Sequence, residues 1–373
     1  MNKPIRFHWR LPNPGEGLTP SGSVKKPDRE RLGIPDLDAQ LAFCLLAEKF
    51  DIDSMLMAFS YYMPDPFPHI TALGMGTKKM KFILAYRPGL LSPTLFVQMV
   101  NTVSTILDGR IHLNIVAGHS AKEQLYYGDN LSHDERYQRA NEYMEICHAF
   151  WANEGPVNFE GKYYHIKEGQ LGTPFQGGEF NHPEIFFGGS SVMAQQVMFN
   201  HANCWLMLGG MTPEELKPVL APALLQGKDV GLRLNLIIRS SKEEAVKAAN
   251  DLIKGMDSEW VEKVFVKGSD SHSHQKQFND KETENDAWIT PTLWKGAVKY
   301  FGVSSVALVG TPEEIASTIM DFKNAGISHF IFSGWPNKET LITFGEKVKP
   351  LVRKLEEANS IINPYKSEKI QLK

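Results

Sequence analysis

Residues 81–118 of the chain are KFILAYRPGLLSPTLFVQMVNTVSTILDGRIHLNIVAG, and this stretch decides the fold. Two continuously apolar runs, Lys81–Tyr86 and Ile111–Gly118, flank a segment of helical period that opens with Ser-Pro at residue 92 and ends at Gly109. Continuous hydrophobicity is typical of strands that are buried on both faces of a parallel sheet. Ser-Pro and Gly are start and stop signals for a helix. The stretch therefore predicts a strand–helix–strand unit.

The same alternation recurs along the chain. A second helix is predicted from the capping pattern at Thr311-Pro312, and the last one over residues 338–358, interrupted by Pro350. Repeated strand–helix units predict a (β/α)8 TIM barrel, with a doubly wound open sheet as the main competitor. The eight candidate strands are Ile5–Trp9, Ser54–Ala58, Lys81–Tyr86, Ile111–Gly118, Glu184–Gly189, Cys204–Leu208, Arg233–Arg239 and His329–Gly334.

One compositional break lies between the seventh and eighth strands. Residues 268–288, GSDSHSHQKQFNDKETENDAW, are polar and have no apolar period. Long insertions on this face of a barrel often form lids, although an exposed loop without a role has the same composition. We therefore predict a single barrel domain over residues 1–358 with a lid at about 268–288, followed by a tail over 359–373.

Composition excludes several classes of protein. The 40 basic and 43 acidic residues are interspersed, and a net charge of −3 does not indicate nucleic acid or a membrane surface as a partner. No apolar run reaches the roughly 18 residues of a membrane span. Cys44, Cys147 and Cys204 form no disulfide or metal-ligand spacing, which favours free thiols in a reducing compartment. A soluble cytoplasmic protein is expected.

Two groups of residues are candidates for binding a phosphate. FFGGSS, residues 186–191, leads from a predicted strand into a helix, and Ser190 and Ser191 stand where free backbone amides attract an anion. His133 and Tyr137 lie four residues apart and share one face of a helix. An ordinary tight turn and a solvated helix are the structural alternatives. No metal site is expected, because the two histidines of SHSHQ lack supporting ligands.

Seven segments in order resemble one known family. They are LPNPGEG, the stretch 81–118, HDERY, FFGGSS, ITPTLW, ALVGTPEEIA and ISHFIFSGWP. Together they are similar to the bacterial-luciferase-like flavin monooxygenases, and specifically to the alkanesulfonate monooxygenase branch. The resemblance implies reduced FMN supplied by a separate NAD(P)H-dependent flavin reductase. It also implies O2 as co-substrate, a flavin peroxide that oxidises a small molecule, and a homodimer or homotetramer.

The resemblance assigns roles to residues of the flavin half of the site. His133, Tyr137 and Ser190 or Ser191 would contact the FMN phosphate. The remaining flavin contacts would be Asn114 and Ala117 at the end of the fourth strand, and Ser60 after the second.

The substrate half departs from the family pattern. Arg233 keeps its place, but Pro14, Met63, Leu208, Asn235, Glu284 and Trp335 stand where the alkanesulfonate enzymes have other residues. A sulfonate requires several fixed cations, so the substitutions argue against a simple alkanesulfonate.

Three residues are candidates for catalysis, and each also has a structural interpretation. Arg233 would stabilise an oxyanion or form an ion pair, and His8 would relay a proton or lie in the core. Asn235 would donate a neutral hydrogen bond. The candidates for an apolar substrate pocket, which could equally be packing residues, are Phe59, Tyr62, Met63 and Trp335. Alternatives to the monooxygenase are a deazaflavin- or nicotinamide-linked oxidoreductase on the same barrel and a non-catalytic flavin-binding protein.

Overall fold

Parallel strands close into a barrel in the computed structural model of the protein, which describes residues 3–12, 33–118, 120–177, 181–256 and 287–362. The strands in these ranges are β1 (Arg6–Arg10), β2 (Ser54–Met57), β3 (Lys81–Tyr86), β4 (Ile111–Ile115), β5 (Val157–Glu160), β6 (His165–Gly169), β7 (Ile185–Gly188), β8 (Cys204–Leu208), β9 (Asp229–Ile238), β10 (Leu293–Trp294), β11 (Ala307–Gly310) and β12 (His329–Gly334). Eight of them pair in parallel in the ring β1–β2–β3–β4–β7–β8–β9–β12 and back to β1. The predicted TIM barrel is therefore confirmed.

Helices surround this ring and connect its strands. In the same ranges they are α1 (Leu37–Lys49), α2 (Pro66–Met75), α3 (Pro93–Ile106), α4 (Ala121–Tyr126), α5 (His133–Ala152), α6 (Val192–His201), α7 (Pro213–Leu225), α8 (Lys242–Ile253), α9 (Val298–Phe301), α10 (Pro312–Ala325), α11 (Asn337–Thr343) and α12 (Lys349–Ile362). Among these described helices, none combines the length and the apolar composition that crossing a bilayer requires.

Alternation along the strands divides the core into an outer and an inner part. On β1, Phe7 faces the helices and meets Phe344 edge to face at 5.0 Å between ring centroids. The next residue, His8, faces the barrel interior and meets Phe186 of β7 at 5.6 Å. The apolar residues that pack together inside the barrel are Leu56, Ile83, Phe186, Cys204, Leu206 and Ile331.

Helix starts lie where the capping residues predict them. Ser92 accepts a hydrogen bond from the amide of Leu95 at the start of α3. Thr311 and Glu314 form a reciprocal capping box at the start of α10. The interruption predicted at Pro350 is a π-helical turn over Phe344–Val348, through which helical backbone continues from α11 into α12. The wider turn accommodates a proline, which has no amide hydrogen and crowds the preceding turn.

The sequence prediction missed two short strand pairs. β5 and β6 form an antiparallel hairpin, and their residues are mostly exposed, so they give no apolar signal. β10 and β11 pair antiparallel, and β11 also pairs with β9 beyond the end of β8. β9 itself begins at Asp229 rather than at Arg233, because residues 229–232 already pair in parallel register with residues 204–207 of β8.

A buried polar network closes the amino-terminal end of the barrel. Arg6 donates two hydrogen bonds to the carboxylate of Glu184, of 2.7 and 2.5 Å. His8 Nδ1 lies 2.6 Å from Ser54 Oγ, and its Nε2 lies 2.9 Å from His329 Nδ1. Burial and the neighbouring His329 hold the pKa of His8 well below its usual range.

This network defines the surroundings of His8. Because β1 runs to Arg10, His8 lies in mid-strand and not at a strand end. It is fully buried, and both ring nitrogens are engaged inside the barrel. The structure therefore gives His8 the core position that was the alternative to a proton relay.

The predicted lid and tail fall largely outside the described residues. The undescribed part of the lid segment is residues 268–286, which include Glu284 and the two histidines of SHSHQ. Pro14 and residues 363–373 also lie outside the described residues. The end of the segment is packed, since Lys295 donates a 2.8 Å hydrogen bond to the carbonyl of Ala287 and Trp288 pairs with Trp294. α12 extends to Ile362, so the last helix passes the predicted domain end at 358.

Candidate active site at the barrel mouth

A glycine turn and the start of α5 meet at the carboxyl end of β7. His133 and Tyr137 lie one turn apart, and their rings contact edge to face with centroids 5.0 Å apart. Gly189, after β7, has a left-handed φ of 131°. A Cβ at this position would lie 3.1 Å from Tyr137 Oη and would crowd Ala194. The tyrosine hydroxyl thus lies over a turn that requires glycine.

The serines after this glycine begin α6. Ser191 is the N-cap residue, and its side-chain oxygen accepts a 3.2 Å hydrogen bond from the amide of Ala194. Its hydroxyl hydrogen remains available for donation. Ser190 is exposed, and its carbonyl accepts a 3.1 Å hydrogen bond from Gln195. Because the first amides of a helix attract anions, the turn is suited to a phosphate. The structure therefore brings the four predicted phosphate ligands into one cluster.

The two predicted contacts on β4 lie beside this turn. Asn114 is buried, and its Oδ1 has no hydrogen-bond partner in the part of the chain that the structure describes. In register it pairs with Phe186 of β7. Ala117 lies just beyond the strand, and its carbonyl accepts a 3.2 Å hydrogen bond from Arg136 Nε of α5. The end of β4 is thus fixed against the helix that carries His133 and Tyr137.

Ser60 belongs to a loop that is anchored by Glu123 of α4. Glu123 Oε1 accepts hydrogen bonds of 2.9 Å from both Ser60 Oγ and the amide of Tyr61. Its Oε2 accepts a 2.8 Å bond from Arg87 Nη2. Burial raises the pKa of Glu123, but the Arg87 ion pair and these hydrogen bonds lower it by more, so the net shift is downward. The hydroxyl hydrogen of Ser60 is therefore already used in a hydrogen bond to the Glu123 carboxylate.

Arg87, Glu123 and Gln124 form a buried cluster that the sequence did not predict as a site. Arg87 Nε and Nη1 and Gln124 Nε2 have no hydrogen-bond partner among the described residues. A Cβ on Gly118 would collide with Gln124 Nε2 and would lie 3.5 Å from Arg87 Nε, so these donors converge on the Gly118 turn. The only sequence signal was the position of Arg87 directly after a strand, because α4 has no distinguishing pattern.

Two of the predicted substrate residues lie in the loop after β2. The ring of Phe59 lies against the guanidinium of Arg87, with 5.1 Å between its centroid and Cζ, and 5.8 Å from the ring of Tyr127. The amide of Met63 donates a 3.0 Å hydrogen bond to the carbonyl of Ser60, which closes the loop into a turn.

The other two predicted substrate residues have separate surroundings. Tyr62 contacts Tyr61 edge to face at 5.1 Å between centroids. Trp335 follows β12, and its ring lies 5.7 Å from that of Phe301. Phe59 and Trp335 pack against different apolar clusters. The predicted pocket residues therefore belong to two groups, one on each side of β1.

The two predicted catalytic residues of β9 differ in their surroundings. Asn235 is buried, its Nδ2 donates a 2.8 Å hydrogen bond to the carbonyl of Ser304, and its Oδ1 accepts a 2.5 Å bond from Ser333. Both ends of the Asn235 amide are therefore engaged with neighbouring strands and loops of the barrel. Arg233 is half-buried between Leu208 and Ile331 of the neighbouring strands.

The sequence comparison identifies the class of protein that this barrel represents. The sequence model of the luciferase-like monooxygenases matches residues 5–329. The chain therefore belongs to the luciferase-like monooxygenase family, as its motifs predicted.

Three solved structures share the fold over nearly the whole chain. EDTA monooxygenase (EmoA) from Chelativorans sp. BNC1 has a TM-score of 0.76 at 18% identity, covering 95% of this chain and 94% of that one. Long-chain alkane monooxygenase (LadA) has a TM-score of 0.74 at 22% identity, covering 95% and 92%. Riboflavin lyase (RcaE), solved with modified FMN and riboflavin, has a TM-score of 0.73 at 20% identity, covering 95% and 92%. At these identities the likeness shows the fold alone.

The residues at the mouth fit a flavin mononucleotide. A phosphate requires a positive helix end and hydroxyl donors, which the Gly189 turn, Ser191 and Tyr137 provide. The edge of a flavin ring carries carbonyl oxygens and an N–H group. Correspondingly, Arg87 Nε and Nη1, after β3, are buried donors, and Asn114 Oδ1, on β4, is a buried acceptor. None of these three atoms has a hydrogen-bond partner within the described residues. The cofactor class implied by the family is thus consistent with this chain's own side chains.

Proposed function

We propose that the protein is an FMNH2- and O2-dependent monooxygenase that oxidises a small or medium-sized organic molecule other than a simple alkanesulfonate. The observation that carries the proposal is the cluster at the Gly189 turn, where the Tyr137 hydroxyl, the start of α6 and Ser191 converge. Family membership supports the class of reaction.

Tyr137, Ser191 and the first amides of α6 would hold the FMN phosphate, and His133 would fix the Tyr137 ring in its edge-to-face contact. Asn114 and Ala117 would orient the ring system against the end of β4. When bound, the reduced flavin supplies the electrons that activate dioxygen. The protein's part is to bind, to orient and to exclude water.

Arg233 is the residue that we propose for stabilising negative charge on a substrate oxygen. It lies on the barrel strand next to β12, whose end carries Trp335. His8 and Asn235 are not part of the proposed catalytic set, because their polar groups are engaged within the barrel. Phe59, Tyr62, Met63 and Trp335 would give the substrate an apolar, aromatic environment.

The proposed partner is a separate NAD(P)H-dependent flavin reductase, which would deliver the reduced cofactor. We place the reaction in the cytoplasm, where reduced thiols persist. Cys44, Cys147 and Cys204 are buried free cysteines, and burial raises the pKa of each thiol, which keeps it protonated and inert.

Reoxidation of the flavin tests the proposal without knowledge of the substrate. The protein is titrated anaerobically with reduced FMN and then mixed with oxygenated buffer while flavin absorbance is followed. We expect saturable binding, and reoxidation several-fold slower than that of free FMNH2, because the bound ring is shielded from solvent. Reoxidation at the rate of the free cofactor would contradict the monooxygenase. Substrate turnover with a deazaflavin and without O2 would support the hydride-transfer alternative.

Turnover of an oxidised substrate, measured beside FMNH2 affinity, tests Arg233, with Arg239 just after β9 as a matched control. Arg233→Met is expected to keep its affinity for reduced FMN and to lose at least about 100-fold in turnover, the effect of removing one oxyanion donor. Arg239 donates a hydrogen bond to the carbonyl of its neighbour Ile238, so Arg239→Met should retain turnover. Equal turnover in the two variants would return Arg233 to a structural role.

A further inference from the structure

The donors beside Gly118 are unusual for a protein interior. Arg87 and Gln124 are 3% and 2% exposed, and Arg87 Nε, Arg87 Nη1 and Gln124 Nε2 find no acceptor among the residues that the structure describes. A buried donor without an acceptor bears the full cost of leaving water and gains no bond in return. Most buried polar groups in proteins are paired, so three unpaired donors in one place indicate that an acceptor is missing.

The position of the donors links them to the proposed site. They converge on Gly118, which directly follows Ala117, the residue proposed to lie against the flavin ring. The ring of Phe59, a proposed substrate contact, lies against the Arg87 guanidinium with 5.1 Å between centroid and Cζ. The unpaired donors therefore lie between the cofactor side and the substrate side of the mouth.

Charge decides what kind of acceptor fits. Arg87 is already neutralised by Glu123 at 2.8 Å, with side chains 4% and 7% exposed. Glu123 is in turn saturated by donors from Ser60, Tyr61 and Arg87. A carboxylate or phosphate added here would leave one negative charge buried without a counterion, which is strongly unfavourable. A neutral oxygen accepts the same hydrogen bonds and adds no charge.

We propose that Arg87 and Gln124 form a pocket for one neutral carbonyl oxygen. That oxygen belongs either to a substrate, which would then be a ketone, ester or amide, or to the flavin ring itself. Both sources rest on the proposed function, since they assume that cofactor and substrate meet at this mouth. Arg87 and Gln124 supply the donors, while Glu123 is a positioning residue that fixes the guanidinium.

Gln124→Leu is the decisive variant, because it removes an unpaired donor and, among the described residues, no existing side-chain hydrogen bond. Gln40→Leu is its matched control: Gln40 is also buried, but it donates to the carbonyl of Pro12 at 2.9 Å and pairs with His69 Nε2 at 2.7 Å. Without ligand, we expect the urea midpoint of Gln124→Leu to stay the same or rise and that of Gln40→Leu to fall. A clear fall for Gln124→Leu would show a structural role and overturn the proposal.

Ligand binding then separates the two sources of the oxygen. Both variants and the unmodified protein are titrated anaerobically with reduced FMN, and separately with acetophenone, benzoate and ethylbenzene by calorimetry. If the flavin ring supplies the oxygen, Gln124→Leu weakens FMNH2 binding by about tenfold, the worth of one hydrogen bond. If the substrate supplies it, FMNH2 affinity is unchanged and acetophenone affinity falls by about tenfold. Gln40→Leu should bind as the unmodified protein does in both arms.

Three results of these titrations would contradict the proposals. Unchanged affinity of Gln124→Leu for both FMNH2 and acetophenone would show that the donors hold only water, and would overturn the proposal. Tighter binding of benzoate than of acetophenone to the unmodified protein would overturn the charge argument. If the unmodified protein does not bind FMNH2, the proposed function is wrong. The carbonyl pocket is then tested only by comparing the affinities for acetophenone and ethylbenzene.

Discussion

Each end of the barrel has an arginine paired with a buried glutamate, and the two ends differ in how many donors of the arginine remain unpaired. At the amino-terminal end, Arg6 makes two hydrogen bonds to Glu184. At the mouth, Arg87 makes one to Glu123 and keeps two donor atoms unpaired within the described part of the chain. A saturated pair gains nothing from a ligand, whereas an unsaturated one gains hydrogen bonds when an acceptor arrives. The lower end should therefore determine stability and the mouth should determine binding.

The largest expected effect is on the lower end. Glu184→Gln leaves the Arg6 guanidinium beside a neutral amide. Because the Arg6 side chain is 30% exposed, solvent reduces the cost below that of a fully buried pair, to about 2–3 kcal/mol of unfolding free energy. Urea denaturation monitored by tryptophan fluorescence measures this loss. The affinity for FMNH2 should remain unchanged, because the network is remote from the Gly189 turn.

Glu160 provides the control for this prediction. Its side chain is 86% exposed and pairs with His165 at 2.8 Å. Glu160→Gln should not measurably change the urea midpoint, because exposed pairs are screened by water. If Glu184→Gln were as stable as Glu160→Gln, or if it weakened flavin binding, the division between the two ends would be wrong.

A somewhat smaller effect is expected from acid. Burial lowers the pKa of His112 to about 3, although the nearby Glu184 opposes the shift. An unfolded histidine titrates near pH 6.5, so between these values the unfolded chain binds a proton that the folded chain does not. This contribution to stability is complete above about pH 6.5 and falls by about 2 kcal/mol by pH 5.

His112→Leu isolates this contribution, since other buried histidines titrate in the same direction. His148 and His201, whose pKa values burial lowers to about 4, act in both proteins alike. Urea titrations at pH 5 and pH 7 should therefore show a smaller acid loss for His112→Leu than for the unmodified protein. Parallel losses in the two proteins would show that His112 does not account for the acid dependence.

The smallest expected effects are at the mouth. Tyr137→Phe and Ser191→Ala should each weaken FMNH2 binding by about 0.5–2 kcal/mol, the contribution of one hydrogen bond. Ser191→Ala should also lower the urea midpoint, because it removes the side-chain cap of α6, which contributes about 1 kcal/mol. Anaerobic fluorescence titration measures the affinity. Tyr163 is a matched control, because its hydroxyl bonds Gln138 on the same helix at 3.1 Å. If Tyr163→Phe weakened binding as much as Tyr137→Phe did, the cluster at Gly189 would not be the phosphate site.

The strand–helix pattern and the grouping of residues at the Gly189 turn could be predicted because their signals are local. Apolar runs located all eight barrel strands, and Ser92 and Thr311 located helix starts. His133 and Tyr137 share a face because four residues make about one helical turn. The hairpin β5–β6 was missed because its residues are mostly exposed, and the start of β9 was missed because Asp229 and Gly231 interrupt its apolar pattern.

The sequence by itself determined the barrel, its family and the residues around Gly189, because each of these depends on patterns within a few residues or on motifs in order. The tertiary structure alone decided which polar groups are already paired. His8 meets His329 across 321 residues, Asn235 meets Ser333 across 98, and Arg87 meets Glu123 across 36. Hydrogen bonds form between groups that folding brings within about 3 Å, and the residue types alone do not specify that distance.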